Sequence, residues 1–530
     1  MTVTNLVSRY LPTFRQVWRL ALPIIFTNLL MTLLHVVDIF MVGRLGPLEI
    51  AAVGMSVAIR MLVNTFILAV VTGAMALAAQ AKGARNPQRL SDVFRQSMSL
   101  AVIVSVILSS VGYLVAEPLL SFLNGGGDPL AVAIGREYLE LLFLGTFFLV
   151  GSFLVNSIMQ GAGDTLTPLY VTGVVNVINI VLNYLFIFGP GPFPAMGVTG
   201  AAVSTLASRV IGMTICLTLI YSGRNGVRLL PGTYLPNWQT FWDILSIGLP
   251  AGIQSVLRQS NQLMVMRIVT ATAAGTYGAA ALAIGLQVMS LSWMPGFAIH
   301  IAATSLVGQA LGAWQLEDAR RRGNAAIALG VLVMSVITLP LFFLAPALIR
   351  LFDPSAHPTV IEAGSSFLRI NALGQPLIAV GMVADGALRG AGDTKPSLFA
   401  TIIGGWILAI PLAYLLAIPF DLGIWSIWFA LVMGTGVSAF YLFIRWRNHR
   451  WIDVALHRTA LYRIHLRRLP QNLQSRFLSN IRTPLMAGPE TIEEIDEHGV
   501  QYSNSEGLLR VVFENDNYWV EENQGLLKTK

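Results

Sequence analysis

Long unbroken apolar runs, separated by short polar connectors, dominate the first 447 residues of the chain. They fall near 17–42, 50–80, 93–116, 133–160, 166–188 and 198–221. After a polar stretch with Arg224, Arg228 and Pro236 they resume near 241–270, 278–311, 325–350, 364–389, 397–419 and 423–445. Each reaches the roughly 20 residues that a helix needs to cross a bilayer, and none alternates as a barrel strand does. The pattern predicts twelve transmembrane helices. The first run continues from Val17 to Val42 with no small-residue cleavage site, so it reads as a span rather than a removable leader.

The chain also repeats itself. Gly161-Ala162-Gly163-Asp164-Thr165 returns as Gly390-Ala391-Gly392-Asp393-Thr394, an offset of 229. The same offset aligns Gln80 and Gly83 with Gln309 and Gly312, and Leu144-Gly145 with Leu373-Gly374, while Ala21-Leu22-Pro23 pairs with Gly248-Leu249-Pro250 at 227. Landmarks that match in order mark a duplication. The expected architecture is an all-α integral membrane protein, twelve transmembrane helices in two pseudo-symmetric six-helix lobes with a central cleft. Its parts are an N-terminal lobe over 1–222, a C-terminal lobe over 223–447 and a polar tail over 448–530. Within the tail, Val511-Val512-Phe513 and Tyr518-Trp519-Val520 predict a hairpin around Asn515-Asp516-Asn517.

Composition agrees with a membrane class. The chain is 55% hydrophobic and 12% charged, with a mean hydropathy of +0.67, more apolar surface than a water-facing exterior tolerates. The net charge of +7 does not point to nucleic acid. Arg and Lys gather before the first span (Arg9, Arg15, Arg19), in the second connector (Lys82, Arg85, Arg89, Arg95), in the eighth (Arg320, Arg321, Arg322) and after the last span (Arg445, Arg447, Arg450). That distribution places both termini of a multi-pass membrane protein in the cytoplasm. The single cysteine, Cys216, leaves no disulfide framework.

Asp38 carries the chemistry. An ionised carboxylate inside an apolar run is expensive, and those that occur face cavities and do work. Its place near a helix C-terminus disfavours the anion further, which makes proton uptake possible. Asn179 and Asn183 lie one turn apart, a turn beyond Asn176, and present side-chain oxygens on one face; helix–helix hydrogen bonding is an equal use for them. Asn156 and Tyr138 share that ambiguity. Arg60, Arg209, Arg258 and Arg267 are further in-span charges, for which buried ion pairs or snorkelling are the plain alternative, the preferred one for Arg209. Asp385 occupies the position equivalent to Asn156 and lies one turn before Arg389, where pairing competes with ion coupling. A lone His300 reads as a satisfied polar residue. The repeated Gly-Ala-Gly-Asp-Thr is architectural: glycines for a tight turn, Asp and Thr as caps for the next helix. No phosphate loop, metal cluster or catalytic triad is evident, so neither an enzyme nor an ATP-driven pump is expected, and no cofactor or metal is required.

Taken together, these residues resemble the multidrug and toxic compound extrusion (MATE) family, over residues 15–447. The resemblance rests on Leu22-Pro23, Asp38 with Phe40-Met41-Val42-Gly43, Gln80 with Gly83, the paired Gly-Ala-Gly-Asp-Thr turns and Gly200-Ala201-Ala202. It implies a monomeric antiporter in the lipid bilayer that exports cationic amphipathic small molecules in exchange for protons or sodium ions. It further implies that Asp38 is the coupling residue, that Pro23 is the nearby proline about which the helix bends, and that Asn179, Asn183 and Thr205 form the ion and substrate site, with Tyr138 and Asn156 beside them. The family's second acid of that site is Asn183 here, which favours protons over sodium. Of the acid pair that some relatives hold in the second lobe, one falls on Arg258 and the other near Ile378, leaving Asp385 and Arg258 as secondary candidates. A lipid-linked oligosaccharide flippase of the same superfamily is the rival, kept open by Arg60, Arg258 and Arg267.

Overall fold

The computed structural model of the chain describes residues 3–223, 229–458 and five short segments between 491 and 527. Arg224, Arg228, the stretch 459–490, and Asn515 with Asp516 lie outside the described residues. The first lobe holds α1 (Val3–Gly43), α2 (Pro47–Gly83), α3 (Pro87–Asn124), α4 (Pro129–Leu144), α5 (Thr146–Gly161), α6 (Leu166–Phe188) and α7 (Gly197–Ser222). The second holds α8 (Trp238–Ala271), α9 (Gly275–Gly312), α10 (Leu316–Phe343), α11 (Ala345–Phe352), α12 (Pro358–Gly390), α13 (Lys395–Ala400), α14 (Ile410–Ala417) and α15 (Trp425–Arg447).

Local sequence sets the helix ends. Pro47, Pro87, Pro129 and Pro358 occupy first turns, where a missing N–H costs nothing. Asn86, Asp128 and Asn237 accept hydrogen bonds from the N–H groups that open α3, α4 and α8. At the repeated turns, Gly163 and Gly392 adopt left-handed φ values of 90° and 79°. In both, the Asp N–H donates back to a helix carbonyl at 2.9 Å. The expected capping holds in part. Asp164 accepts from the Thr167 N–H at 3.0 Å, but neither Thr165 nor Thr394 caps with its side chain, and Asp393 pairs with Arg445 at 2.8 Å.

Ten described helices are long and apolar enough to span a bilayer, and α4 with α5 makes an eleventh, bent by 53° at Gly145. The sequence pattern runs straight through that bend because both halves are equally apolar. α8 takes the twelfth place between α2 and the second lobe. It is long enough, but Arg258, Arg267 and the amides Gln259, Asn261 and Gln262 dilute its hydropathy. Two further predicted spans are interrupted. The run at 325–350 divides into α10 and α11 before Pro346, and the run at 397–419 unwinds to a π-helical stretch over Thr401–Ala409.

The core shows where the lobes meet. One apolar cluster joins α2, α3 and α5 to Phe241, Ile244 and Ile247 of α8. A second joins Val17, Ala21 and Ile24 of α1 to α9, α10 and α12. In both, the residues that cross from one lobe to the other lie toward the end that carries Lys82, Arg89, Arg320 and Arg445, the basic end. Toward the opposite end each cluster stays inside one lobe: Val42, Val53, Ile187 and Val198 in the first, Val265, Ala281, Phe367 and Trp428 in the second. The lobes are therefore joined at the basic end and separate above it, which forms the cleft between them.

The joint itself obeys the repeat. Gln80 Nε2 donates to the Gly390 carbonyl at 3.0 Å, and Gln309 Nε2 to the Gly161 carbonyl at 2.9 Å. A Cβ on Gly83 would sit 1.9 Å from the Gln309 carbonyl oxygen, and one on Gly312 the same 1.9 Å from that of Gln80. Only glycine permits that double crossing of α2 and α9. Arg89 of α3 adds an ion pair to Asp243 of α8 at 2.9 Å.

After α15, α16 (Arg450–Arg458) returns to the bundle, with Trp451 fully buried and stacked on Trp446 at 4.6 Å. Farther on, β1 (Thr491–Ile495), β2 (Gly499–Asn504), β3 (Gly507–Glu514), β4 (Asn517–Glu522) and β5 (Gly525–Leu527) form an antiparallel meander in chain order. The predicted hairpin is β3–β4, closed by Glu514 opposite Asn517.

Candidate functional site

Asp38 lies on α1 five residues before the helix ends at Gly43, in the half of the first lobe away from the joint. Its Oδ1 accepts a hydrogen bond of 2.6 Å from Asn183 Nδ2, which also donates to Asn179 Oδ1 at 3.0 Å. Asn179 Nδ2 donates in turn to Ser208 Oγ of α7 at 3.1 Å. Asn179 and Asn183 are 1% and 0% exposed, so both amides are buried. Asn176, a turn earlier on α6, donates to the Leu30 carbonyl of α1 at 2.7 Å and holds the two helices together.

The chain opens into a cavity of about 550 Å³ inside the first lobe. Asp38, Asn156, Asn179 and Thr205 line it, with Arg60 of α2 and Arg209 of α7. Asn156 accepts from Cys216 Sγ at 3.8 Å on the same wall. Tyr138 is buried in the cluster beneath, beside Arg60, and contributes support rather than lining. Of the six residues expected to form the ion and substrate site, four line the cavity, while Asn183 and Tyr138 lie behind its wall.

Pro23, Arg209 and Asp385 lie elsewhere or are held differently. Pro23 is not near the site: fifteen residues separate it from Asp38 on one continuous helix, about 22 Å at 1.5 Å per residue. Pro23 is buried at the joint between the lobes, beside Ala21 and Ile24, and Thr27 donates to its carbonyl at 2.8 Å. Arg209 makes no ion pair among the described residues; it lines the cavity and stands over the Phe153 ring at 5.9 Å. In the second lobe, Asp385 takes the pairing that the sequence set against ion coupling. It pairs with Arg389 at 3.0 Å and faces His300 at 3.7 Å, so His300 is part of a cluster rather than alone. Arg389 also donates to Gln254 at 2.8 Å and to Thr72 of the first lobe at 3.4 Å. Arg258 is exposed and within electrostatic reach of Arg389 and Asp385. The equivalent positions Asn156 and Asp385 thus serve different ends, one a cavity wall and the other a charge cluster at the joint.

Ser208, His35 and Asn64 also belong to the cavity and were not picked out from sequence. A signal existed. Thr205, Ser208, Arg209, Gly212 and Cys216 follow helical spacing along one stripe of α7, as do Val57, Arg60, Met61 and Asn64 along α2. The donor set around Asp38 is one carboxylate, two amides and a hydroxyl, which suits a proton or a hard monovalent cation. Asn183 Oδ1 is buried and has no hydrogen-bond partner among the described residues.

The chain was compared with known proteins. The MatE family model matches it twice, over residues 23–185 and 250–415, one match per lobe. A protein of Thermotoga maritima named probable multidrug resistance protein NorM is 32% identical over 434 residues, covering 81% of this chain and 92% of that one. A Bacillus subtilis protein, the uncharacterized transporter YisQ, is 26% identical over 420 residues, covering 78% and 90%. A transporter structure from Pyrococcus furiosus, described through the reverse polarity of its binding pocket in the MOP superfamily, superposes with a TM-score of 0.76 at 25% identity. It covers 83% of this chain and 96% of its own.

Proposed function

Because the chain belongs to the MatE family, we infer that it is a multidrug exporter, a secondary antiporter that moves amphipathic organic compounds outward while ions flow in. The observation that carries this reading is the Asp38–Asn183–Asn179 chain opening onto a cavity large enough for a drug-sized ligand. Basic connectors orient the chain with both termini and the joint between lobes on the cytoplasmic side of a bacterial plasma membrane. The conformation described is then closed inward and separated outward. One chain supplies the whole cavity, so a monomer suffices.

Asp38 couples the two flows through competition. As a carboxylate it accepts from Asn183 and offers charge to a substrate's cationic group. Once protonated it offers no charge, and its hydroxyl becomes a donor that the partnerless Asn183 oxygen can accept after the amide turns over. A substrate leaves as the proton arrives, so the two are carried in opposite directions. With Asn183 in place of a second acid, one carboxylate serves the site, and protons are the coupling ion.

The test imposes a proton gradient and a sodium gradient in turn on vesicles that contain the protein. Asp38→Asn is expected to abolish gradient-driven efflux while the protein keeps its melting transition. Undiminished proton-driven efflux in that variant removes Asp38 from the cycle.

A further inference from the structure

A cavity built only to hold organic cations should be lined by negative charge, yet this one is not. Two guanidinium groups, Arg60 and Arg209, face it against the single carboxylate of Asp38, and His35 adds a third group able to become positive. Neither arginine makes an ion pair among the described residues. Arginine does not give up its proton in proteins, so the charge cannot be removed by titration. Asp38 is within electrostatic reach of both arginines and offsets one of the two charges; leaving the other uncompensated among apolar helices is costly, and an incoming anion relieves that cost.

The same residues stand at a boundary. A second, smaller cavity of about 100 Å³ adjoins the first and shares Arg60, Asn64, Thr205 and Arg209 with it. Apolar side chains, among them Leu142, Phe143, Leu149 and Phe153, make most of its remaining wall. Asn64 Oδ1 is buried there with no partner among the described residues. A ligand spanning both spaces meets a carboxylate at one end and two arginines above an apolar recess at the other.

We propose that Arg60 and Arg209 form an anion-selecting subsite, so that the preferred cargo is an amphiphile bearing a carboxylate or phosphate together with its cationic group. The cationic end competes with the proton at Asp38, and the anionic end sits between the guanidinium groups. This rests on the exporter reading and narrows its substrate class.

A matched dye pair tests it. Rhodamine 19 carries a free carboxylate, and rhodamine 6G is its ethyl ester and purely cationic. Export of each from everted vesicles and binding of each to purified protein are measured, and the acid-to-ester ratio is taken within each variant. A poorly folded variant loses both dyes and leaves the ratio unchanged. The expected ratio exceeds about ten in the wild type, falls by about tenfold to a hundredfold in Arg60→Gln and Arg209→Gln, and recovers in part in Arg209→Lys. Translocation of fluorescent phosphatidylethanolamine, whose headgroup joins a phosphate to an ammonium, in the same vesicles separates a lipid source of the anion from a soluble one. If it falls in Arg209→Gln together with the dye ratio, the subsite takes lipid headgroups; if the dye ratio alone falls, the anion is a soluble one. A wild-type ratio near or below one, or a ratio that neither glutamine variant moves, overturns the subsite while leaving the exporter standing. Asp38-independent movement of both dyes would count against the exporter itself.

Discussion

The double glycine crossing at the joint gives the most quantitative prediction. Gly83→Ala places a methyl 1.9 Å from the Gln309 carbonyl oxygen, and Gly312→Ala places one 1.9 Å from that of Gln80. Real Cβ atoms essentially never approach closer than 3.0 Å, so α2 and α9 must part by about 1.1 Å at that crossing. Overpacking of this kind costs about 1–3 kcal/mol, or roughly fivefold to 150-fold in the population of the closed joint. The parting also stretches the Gln80–Gly390 and Gln309–Gly161 hydrogen bonds, which span the same seam. Because one movement relieves both clashes, the double variant should cost little more than either single one, about 1–3 kcal/mol less than their sum. Spin labels at the exposed, repeat-related positions Gln88 and Glu317, in a Cys216→Ala background, read the opening as a longer-distance population in pulsed electron resonance. Distances identical to the parent in both single variants, or strictly additive losses in the double, would refute the argument.

Three other outcomes follow from the geometry. Asn183→Asp restores a second acid beside Asp38 and should confer sodium-driven efflux, read in vesicles with a sodium gradient alone; no gain means that the site does not hold the ion. Arg389→Ala removes the partner of buried Asp385 and the bonds to Gln254 and Thr72, so it should destabilise by about 3–5 kcal/mol. Adding Asp385→Asn should return part of that loss in a thermal melt. His449, between α15 and α16, is held below its ordinary 6.5 by burial and by Arg320, with Glu317 opposing. Its stabilising contribution is complete above pH 6.5 and declines as pH falls from there toward its folded value, since the unfolded chain takes up the proton first. The melting temperature of His449→Gln relative to wild type should rise over that window, and a flat difference would exclude the residue.

Much of this molecule can be read from residue order alone. Hydrophobic run length defines spans because a bilayer core has a fixed thickness, and the 229-residue offset marks two lobes because related turns keep related glycines. Asp38 stands out because a carboxylate in hydrocarbon needs a reason. The turn at Gly163 and its counterpart at Gly392 could be placed from composition, as both require a left-handed backbone. Such features are local, or repeat, or obey a limit that the membrane sets from outside.

What sequence could not decide is which polar groups meet. Asn183 reaches Asp38 across 145 positions, and Arg389 reaches Thr72 across 317. No local rule says which face of each helix turns toward the other. Arg209 was expected to find a partner or snorkel, yet packing points it into a cavity. Asp385, equivalent by repeat to a cavity residue, is drawn instead into a charge cluster at the joint. Helix rotation is set by how ridges and small residues interlock along entire helices, and a rotation of one residue, about 100°, carries a side chain from lipid to cleft. The spans are written in hydropathy, but the site exists only once twelve helices have settled against one another.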